Sequence, residues 1–176
     1  KRSFPLLLPL LDQPCPVERM SAVYALGRNP FPSAVEKLVS LLETDDNAYV
    51  RRATAWSLAN YDNEIVLKPL INSLKNDVAS VRLWSSSSLA EIGSTSSFNA
   101  QLAAEQLLIS LKIDNEPVVR SNCIWSLCRL FEKLNEISQE SFVDECTKIA
   151  LFDKEPSVME EAKTALDSMG MKGFYK

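Results

Sequence analysis

Residues 50–58 read VRRATAWSL, and related nine-residue segments occur five times along the chain. Each segment ends on a leucine, and the spacing between successive final leucines lies between 31 and 39 residues. The fifth and eighth positions hold small or nearly small residues, which would allow neighbouring helices to approach closely while the leucine fills the core. The five segments are ERMSAVYAL (18–26), VRRATAWSL (50–58), VRLWSSSSL (81–89), VRSNCIWSL (119–127) and VMEEAKTAL (158–166).

A second apolar stretch precedes each of these segments. The five stretches are PLLLPLL (5–11), AVEKLVSLL (34–42), IVLKPLINSL (65–74), AAEQLLISL (103–111) and SFVDECTKIAL (141–151). Their apolar residues recur at i, i+3 and i+4, which predicts a helix in each case. An acidic turn joins the two helices, and its aspartates are predicted to cap the second helix; these are Asp46, Asp77, Asp114 and Asp153. Pro117 and Pro156 suit the first position of a helix.

Each repeat is therefore predicted to be a helical hairpin. One such hairpin cannot bury its own apolar faces, so the repeats must stack. We predict an all-α fold, a right-handed α-α superhelix (a solenoid) of five helical-hairpin repeats in a single domain over residues 1–176. The repeats are expected at about 4–29, 33–61, 63–93, 98–134 and 138–170, with the Ser-rich stretch 93–100 accounting for the longer later spacing.

Composition limits the chemistry that this chain can perform. The 176 residues include no histidine, which excludes a Ser-His-Asp triad, a Cys-His dyad and a His-ligated zinc site. The four cysteines, Cys15, Cys123, Cys128 and Cys146, fit no zinc-binding spacing and are interpreted as reduced, mostly buried thiols. No catalytic residue and no metal ligand is predicted.

Charge and hydropathy limit the partners. The net charge of −4 disfavours nucleic acid, because phosphate binding requires a basic face. No apolar run approaches the roughly 18 residues of a membrane span. We therefore expect a cytoplasmic protein that binds neither nucleic acid nor membrane.

The repeat resembles the HEAT-like, armadillo-like class, and more narrowly the short repeat of phycobilisome lyase proteins, whose second helix reads D-x-x-x-V-R-x-x-A-x-x-x-L. Residues 45–58, 76–89 and 114–127 carry this pattern. The first repeat departs from it with Glu18 in place of Val, and the fifth has Met159 in place of Arg. The sequence of these segments is similar to that of a cyanobacterial group of repeat proteins. This resemblance implies a role in handling bilins or phycobiliprotein subunits, or a role as an adaptor, including in iron–sulfur cluster assembly.

Trp56 falls on the helix face opposite Val50, Thr54, Leu58 and Tyr61. In HEAT-like stacks the second helices line the concave side, so this face is expected to form a groove. Aromatic and arginine side chains dominate binding hot spots, and the same side chains could instead pack between repeats. The predicted groove residues are Tyr24, Arg28, Arg52, Trp56, Trp84, Glu91, Trp125 and Arg129.

A second set of arginines follows an aspartate by five to seven residues in four of the repeats. We interpret these residues as a structural ladder of Asp and Arg side chains that ties turns to neighbouring helices. The ladder residues are Asp12, Arg19, Asp46, Arg51, Asp77, Arg82, Asp114 and Arg120.

The predicted function is non-catalytic binding of a partner protein, as a scaffold in phycobiliprotein or iron–sulfur assembly. The alternative is a bilin lyase subunit or bilin chaperone. In that case a transient bilin would stack on the aromatics, Arg28, Arg52 or Arg129 would pair with its propionates, and Glu91 would transfer a proton. The partner would be a phycobiliprotein subunit, a second lyase subunit or an iron–sulfur assembly protein.

Overall fold

The computed structural model of this chain describes residues 4–171, 173 and 175. Within that part of the chain every regular element is helical, so the predicted all-α class is confirmed. The chain divides into two compact units, Lys1–Ile92 and Gly93–Lys176. The final leucine of each of the five repeated segments is fully buried; these are Leu26, Leu58, Leu89, Leu127 and Leu166.

The first unit contains three helical hairpins. Its first helices are α1 (Phe4–Leu7, continued as a 3-10 helix over Leu8–Asp12), α3 (Val35–Thr44) and α5 (Leu67–Asn76). Its second helices are α2 (Pro16–Arg28), α4 (Ala48–Leu58) and α6 (Ala79–Gly93), the last of which ends just past the unit boundary. Short 3-10 turns at Pro32–Ala34 and Glu64–Val66 lead into α3 and α5.

The second unit contains two longer hairpins. They are built from α7 (Ser97–Ile113) with α8 (Pro117–Leu130), and α9 (Glu136–Phe152) with α10 (Pro156–Ser168). Ser96 and Asn135 cap α7 and α9 by accepting a backbone N–H three residues on. Pro117 and Pro156 stand at the first positions of α8 and α10, as predicted from their lack of an N–H.

The first apolar stretch and the end of α4 differ from the sequence interpretation. PLLLPLL is not one core helix, because Pro9 provides no N–H and the α-helix passes into 3-10 geometry, which leaves Leu6 exposed and Leu11 buried. Tyr61 lies beyond the end of α4 rather than on it. Its ring is nevertheless buried, and its hydroxyl donates to the carbonyl of Leu26 over 3.2 Å.

The turn aspartates do not cap the second helices, which corrects the prediction for Asp46, Asp77, Asp114 and Asp153. Asn47 caps α4, and the N-cap positions of α8 and α10 are Glu116 and Glu155, which make no side-chain cap bond. Asp114 and Asp153 stand two residues earlier, as does Asp45. The carboxylate of each therefore accepts the backbone N–H two residues on, at 2.9 Å, which shapes the turn. Asp77 accepts the N–H of Val78 at 2.7 Å.

Arginines at the start of the second helices pair with the turn of the following repeat. In the first unit Arg19 binds both carboxylate oxygens of Asp45, at 2.7 and 2.8 Å, and Arg51 binds Asp77 in the same way. In the second unit Arg120 binds Asp153. The Nη1 of each of these arginines donates to a carbonyl of its own preceding turn, so one guanidinium joins two successive turns.

Two members of the predicted ladder, Asp12 and Asp46, have a different or smaller role than expected. Asp12 pairs with Lys37. In this repeat the place six residues before the arginine, which Asp45 and Asp114 hold in later repeats, belongs to Gln13, whose carbonyl accepts a hydrogen bond from Arg19. Asp46 is 92% exposed and gives Arg19 only a 3.1 Å contact beside the main partner Asp45. Two further members make the turn contact already seen for Arg19 and Arg51: Arg82 donates to the carbonyl of Asp77 at 2.8 Å, and the carbonyl of Asp114 accepts the corresponding bond from Arg120 at 2.9 Å. The partners are set by which carboxylate the turn directs inward.

Acid should weaken the fold through these pairs. Burial acts to raise the pKa of Asp45 and of Asp153, but hydrogen bonds from Arg19 or Arg120 and from backbone N–H groups outweigh it and hold each pKa below the usual value. A carboxyl with a depressed folded pKa contributes stability above its unfolded pKa, about 3.9, and loses that contribution as the pH falls through the folded value. We expect the urea concentration at the midpoint of unfolding to decrease as the pH is lowered below about 4.

The matched variant for this acid effect is Asp45→Asn, which keeps the shape but cannot titrate. Urea unfolding followed by circular dichroism between about pH 2.5 and 7 should show a shallower loss below about pH 4 in the variant than in the wild type. Equal slopes would contradict a contribution of Asp45 to the acid transition.

Candidate functional site

The candidate site in the first unit lies on the exposed stripe of its second helices. On α4 this stripe contains Tyr49, Arg52 and Trp56, one turn apart, opposite the fully buried Val50 and Leu58. We call the following residues the second-helix face of unit 1: Tyr24 and Arg28 on α2, Tyr49, Arg52 and Trp56 on α4, and Trp84 and Glu91 on α6.

Trp56 packs against the neighbouring second helix and does not project freely into water. Its ring lies 5.4 Å from the ring of Tyr24, tilted by 56°, which is a favourable aromatic geometry. Gly27 provides the space for this contact, since a Cβ there would lie 2.6 Å from Cζ3 of Trp56. Trp56 and Tyr24 therefore pack between repeats, the alternative considered in the sequence analysis. Their rings are half-buried and still form part of the surface.

Helices α2 and α4 run in the same direction. Near the start of α2, Arg19 pairs with Asp45, which precedes α4. Near the end of α2, Gly27 abuts Trp56 and Ser57, which lie near the end of α4. Two contacts in the same order fix the helices as parallel, which places Arg28 one turn beyond the ring pair and Arg52 one turn before it.

Neither cation of this face, Arg28 or Arg52, pairs with a carboxylate in the part of the chain that the structure describes. Arg52 lies over the ring of Tyr49, with its Cζ 5.3 Å from the ring centroid, and its Nε is buried without a hydrogen-bond acceptor in the described part of the chain. Arg28 is exposed and makes no ion pair with any residue that the structure describes. Tyr49, 63% exposed, was missed in the sequence analysis. Its position three residues before Arg52 on the same stripe was the available signal.

Helix α6 presents Trp84 and Glu91, both exposed, on the same face. Two serines of α6 contact the neighbouring helices of unit 1. Ser88 donates to the carbonyl of Ala55 on α4 at 2.7 Å, and Ser85 donates to Ser73 on α5 at 3.0 Å. These small side chains hold α6 close to its neighbours, which leaves Trp84 as the large apolar residue outside, 37% exposed.

The second unit carries its own aromatic and cationic pair on α8. Trp125 is 39% exposed, and Cζ of Arg129 lies 5.1 Å from the centroid of its ring. Stacking of a guanidinium on indole stiffens both side chains and keeps a positive charge beside an apolar surface. The pair therefore offers the same chemistry as Arg52 with Tyr49.

The cysteines differ in exposure: Cys15 is exposed, Cys128 is half-buried, and Cys123 and Cys146 are buried. Burial, helped by the charge of Glu161 and opposed by a hydrogen bond with Ser168, raises the pKa of Cys128 to about 11. Burial also raises the pKa of Cys146. Among residues 4–171, 173 and 175, no cluster of three or more His, Cys, Asp or Glu side chains is placed to hold a metal ion.

We expect one thiol per chain to react readily with iodoacetamide. The thiolate is the reactive form, so at about pH 8 Cys15 should be alkylated much faster than Cys128, whose raised pKa and burial suppress the thiolate. Peptide mass spectrometry over a time course measures this order, with a urea-unfolded sample as the control in which all four thiols react. Equal rates at Cys15 and Cys128 in the folded protein would contradict it.

In the part of the chain that the structure describes, no helix combines the length and the apolar character that a membrane span requires.

Comparisons with known proteins place the fold. Residues 4–90 match the family model described as HEAT repeats. No curated protein matches the chain significantly. One similar solved structure is a crystal structure of an engineered protein, with a TM-score of 0.65, 19% identity and coverage of 91% of this chain and 76% of that chain. A designed armadillo repeat protein in complex with the peptide (KR)4 matches with a TM-score of 0.64, 19% identity and coverage of 97% and 89%.

These matches confirm the predicted class, an all-α repeat superhelix of the HEAT and armadillo type. Their identities are too low to carry a ligand or an activity from one protein to another. The narrower resemblance, to the phycobilisome lyase type of the cyanobacterial group, stays an interpretation of the sequence.

Proposed function

We propose that this protein is a non-catalytic binding scaffold that holds a segment of a partner protein on its second-helix faces. The observation that carries this proposal is the exposure of large aromatic side chains beside arginines, with Tyr49 63% and Trp84 37% exposed on a helical scaffold. Tyr, Trp and Arg are enriched at binding hot spots, and an exposed apolar patch on a rigid surface marks an interaction site. The designed armadillo neighbour forms a complex with a peptide, which supports peptide binding by a repeat fold of this kind.

Selection of linear peptides from a random library displayed on phage tests this proposal. Enriched peptides should bind the purified protein with a Kd near the micromolar range. Tyr49→Ala and Trp84→Ala should each weaken binding by about tenfold, the effect of a moderate hot spot. Ile65→Ala is the matched control, because Ile65 is 46% exposed and lies in the 3-10 turn before α5, outside the second-helix face of the same unit. Enriched peptides that respond to Ile65→Ala and ignore both face variants would contradict the proposal.

The partner that we propose is a phycobiliprotein subunit, a second lyase subunit or an iron–sulfur assembly protein. This identity rests on the repeat resemblance, in which residues 45–58 carry the characteristic wording. The place of action that we propose is the cytoplasm.

Bilin handling is the second candidate function. One observation favours it: the Tyr24–Trp56 ring pair lies between two arginines that pair with no carboxylate among the described residues, as a flat tetrapyrrole with two propionates would require. Titration with phycocyanobilin, followed by tryptophan fluorescence and by the bilin spectrum, tests it. Quenching that is lost in Trp56→Ala and kept in Trp125→Ala would place the bilin on unit 1. An unchanged spectrum at micromolar protein would exclude direct binding by this chain.

A further inference from the structure

We infer that the segment bound by the second-helix face of unit 1 is acidic and extended, with an apolar side chain between two carboxylates four residues apart. This inference rests on the proposed function, since it names the chemistry of the partner at the same surface. Two observations support it. Arg28 and Arg52 pair with no carboxylate among the described residues, and they lie on either side of the Tyr24–Trp56 ring pair.

Arg28 and Arg52 differ in their ion pairing from Arg19 and Arg51, which form salt bridges within unit 1. Arg19 and Arg51 each hold a turn aspartate with two hydrogen bonds and a turn carbonyl with a third. No carboxylate in the described part of the chain pairs with Arg28 or Arg52, although the protein carries a net charge of −4. The Nε of Arg52 is buried and has no acceptor there. Unmet guanidinium donors on an otherwise acidic protein select an anionic partner.

The position of the aromatic pair sets the pattern of the segment. Arg28 lies one turn after Tyr24 and Arg52 one turn before Trp56, so each is about 6 Å along its helix from the ring pair. Gly27 abuts Ser57, so Arg28 stands about level with Leu58, about 9 Å along the axis from Arg52. Adjacent parallel helices are about 9 Å apart, and the two arginine positions are then about 13 Å apart on a diagonal across the face. The two half-buried rings lie between them and offer an apolar platform.

An extended peptide matches this diagonal. It rises about 3.4 Å per residue, so carboxylates four residues apart span about 13.6 Å, and the long arginine side chains cover the difference. Residues i, i+2 and i+4 of an extended chain point to the same side. A Glu-x-Phe-x-Glu segment therefore presents carboxylate, ring and carboxylate in the order in which the face presents Arg28, the ring pair and Arg52. Tyr49, stacked on Arg52, holds that guanidinium in place.

Fluorescence anisotropy with a labelled peptide, Gly-Ser-Glu-Ser-Phe-Ser-Glu-Ser-Gly, tests this inference. We expect saturable binding that weakens as salt rises, because the pairs are solvent-accessible. Replacing both glutamates by glutamine in the peptide should weaken binding at least tenfold, and moving them two residues apart should weaken it about threefold or more. Arg28→Gln and Arg52→Gln should each cost about fivefold.

The controls separate this inference from the proposed function. Lys68→Gln removes one exposed cation from α5 of the same unit and should leave binding within about twofold. Equal binding of the glutamine peptide, or no effect of either arginine variant, overturns the acidic partner while the scaffold function stands. Library peptides that depend on Tyr49 and Trp84 but lack acidic residues do the same. Failure of every linear peptide to bind this face overturns the proposed function and the inference together.

Discussion

Replacing Arg19 by methionine should lower the free energy of unfolding by about 3 kcal/mol, the expected cost of leaving one member of a buried ion pair alone. The partner side chain, Asp45, is only 2% exposed, and that of Arg19 is 12% exposed. The change removes two hydrogen bonds to Asp45 and those to the carbonyls of Gln13 and Pro14. Urea unfolding followed by circular dichroism measures the loss as a lower midpoint at an unchanged slope.

Lys37→Met is the matched control for this prediction. The side chains of Lys37 and its partner Asp12 are 39% and 65% exposed, so losing their pair should cost about 0–1 kcal/mol. Adding Asp45→Asn to Arg19→Met should recover part of the loss, because the uncompensated buried charge disappears while an acceptor remains for the N–H of Asn47. A cost for Arg19→Met no larger than that for Lys37→Met would contradict a structural role for this pair.

Gly27→Ala should destabilise the protein by about 1–2 kcal/mol, although alanine is the better helix former. The new Cβ would meet Cζ3 of Trp56 at 2.6 Å, Oγ of Ser57 at 2.8 Å and Cα of Ser57 at 3.1 Å. The last atom is backbone, so the strain cannot be relieved by rotating a side chain. α2 and α4 must move apart, and the tryptophan emission should shift as the Tyr24–Trp56 contact loosens.

Gly93→Ala is the comparison for this effect. A Cβ at Gly93 would come within 2.9 Å of a methyl group of Leu130, the flexible end of a side chain that can rotate away. We expect a change within about 1 kcal/mol, measured by the same urea unfolding. If Gly27→Ala were as stable as the wild type, the close approach of α2 and α4 would not depend on the missing side chain.

The sequence could predict part of the candidate site, namely which side chains share a helix face. The helical period placed Trp56 opposite the buried Val50 and Leu58, and that placement holds. It could not show that the ring leans on Tyr24, because the contact depends on the distance between α2 and α4, which Gly27 sets. Nor could it show that Nε of Arg52 is buried and unmet, since this depends on how the side chain folds over Tyr49.

The sequence by itself determined the repeat, the helical class and the buried leucines, because each follows from the local periodicity of apolar side chains along one helix. Proline positions likewise fixed the starts of α8 and α10. Only the tertiary structure decided that Asp45 is the main partner of Arg19 while Asp46 makes a longer contact, and that Asp12 pairs with Lys37. A pair between repeats depends on the rotation and spacing of two stacked hairpins, and residues 26 positions apart carry no periodic signal of which oxygen will face which guanidinium.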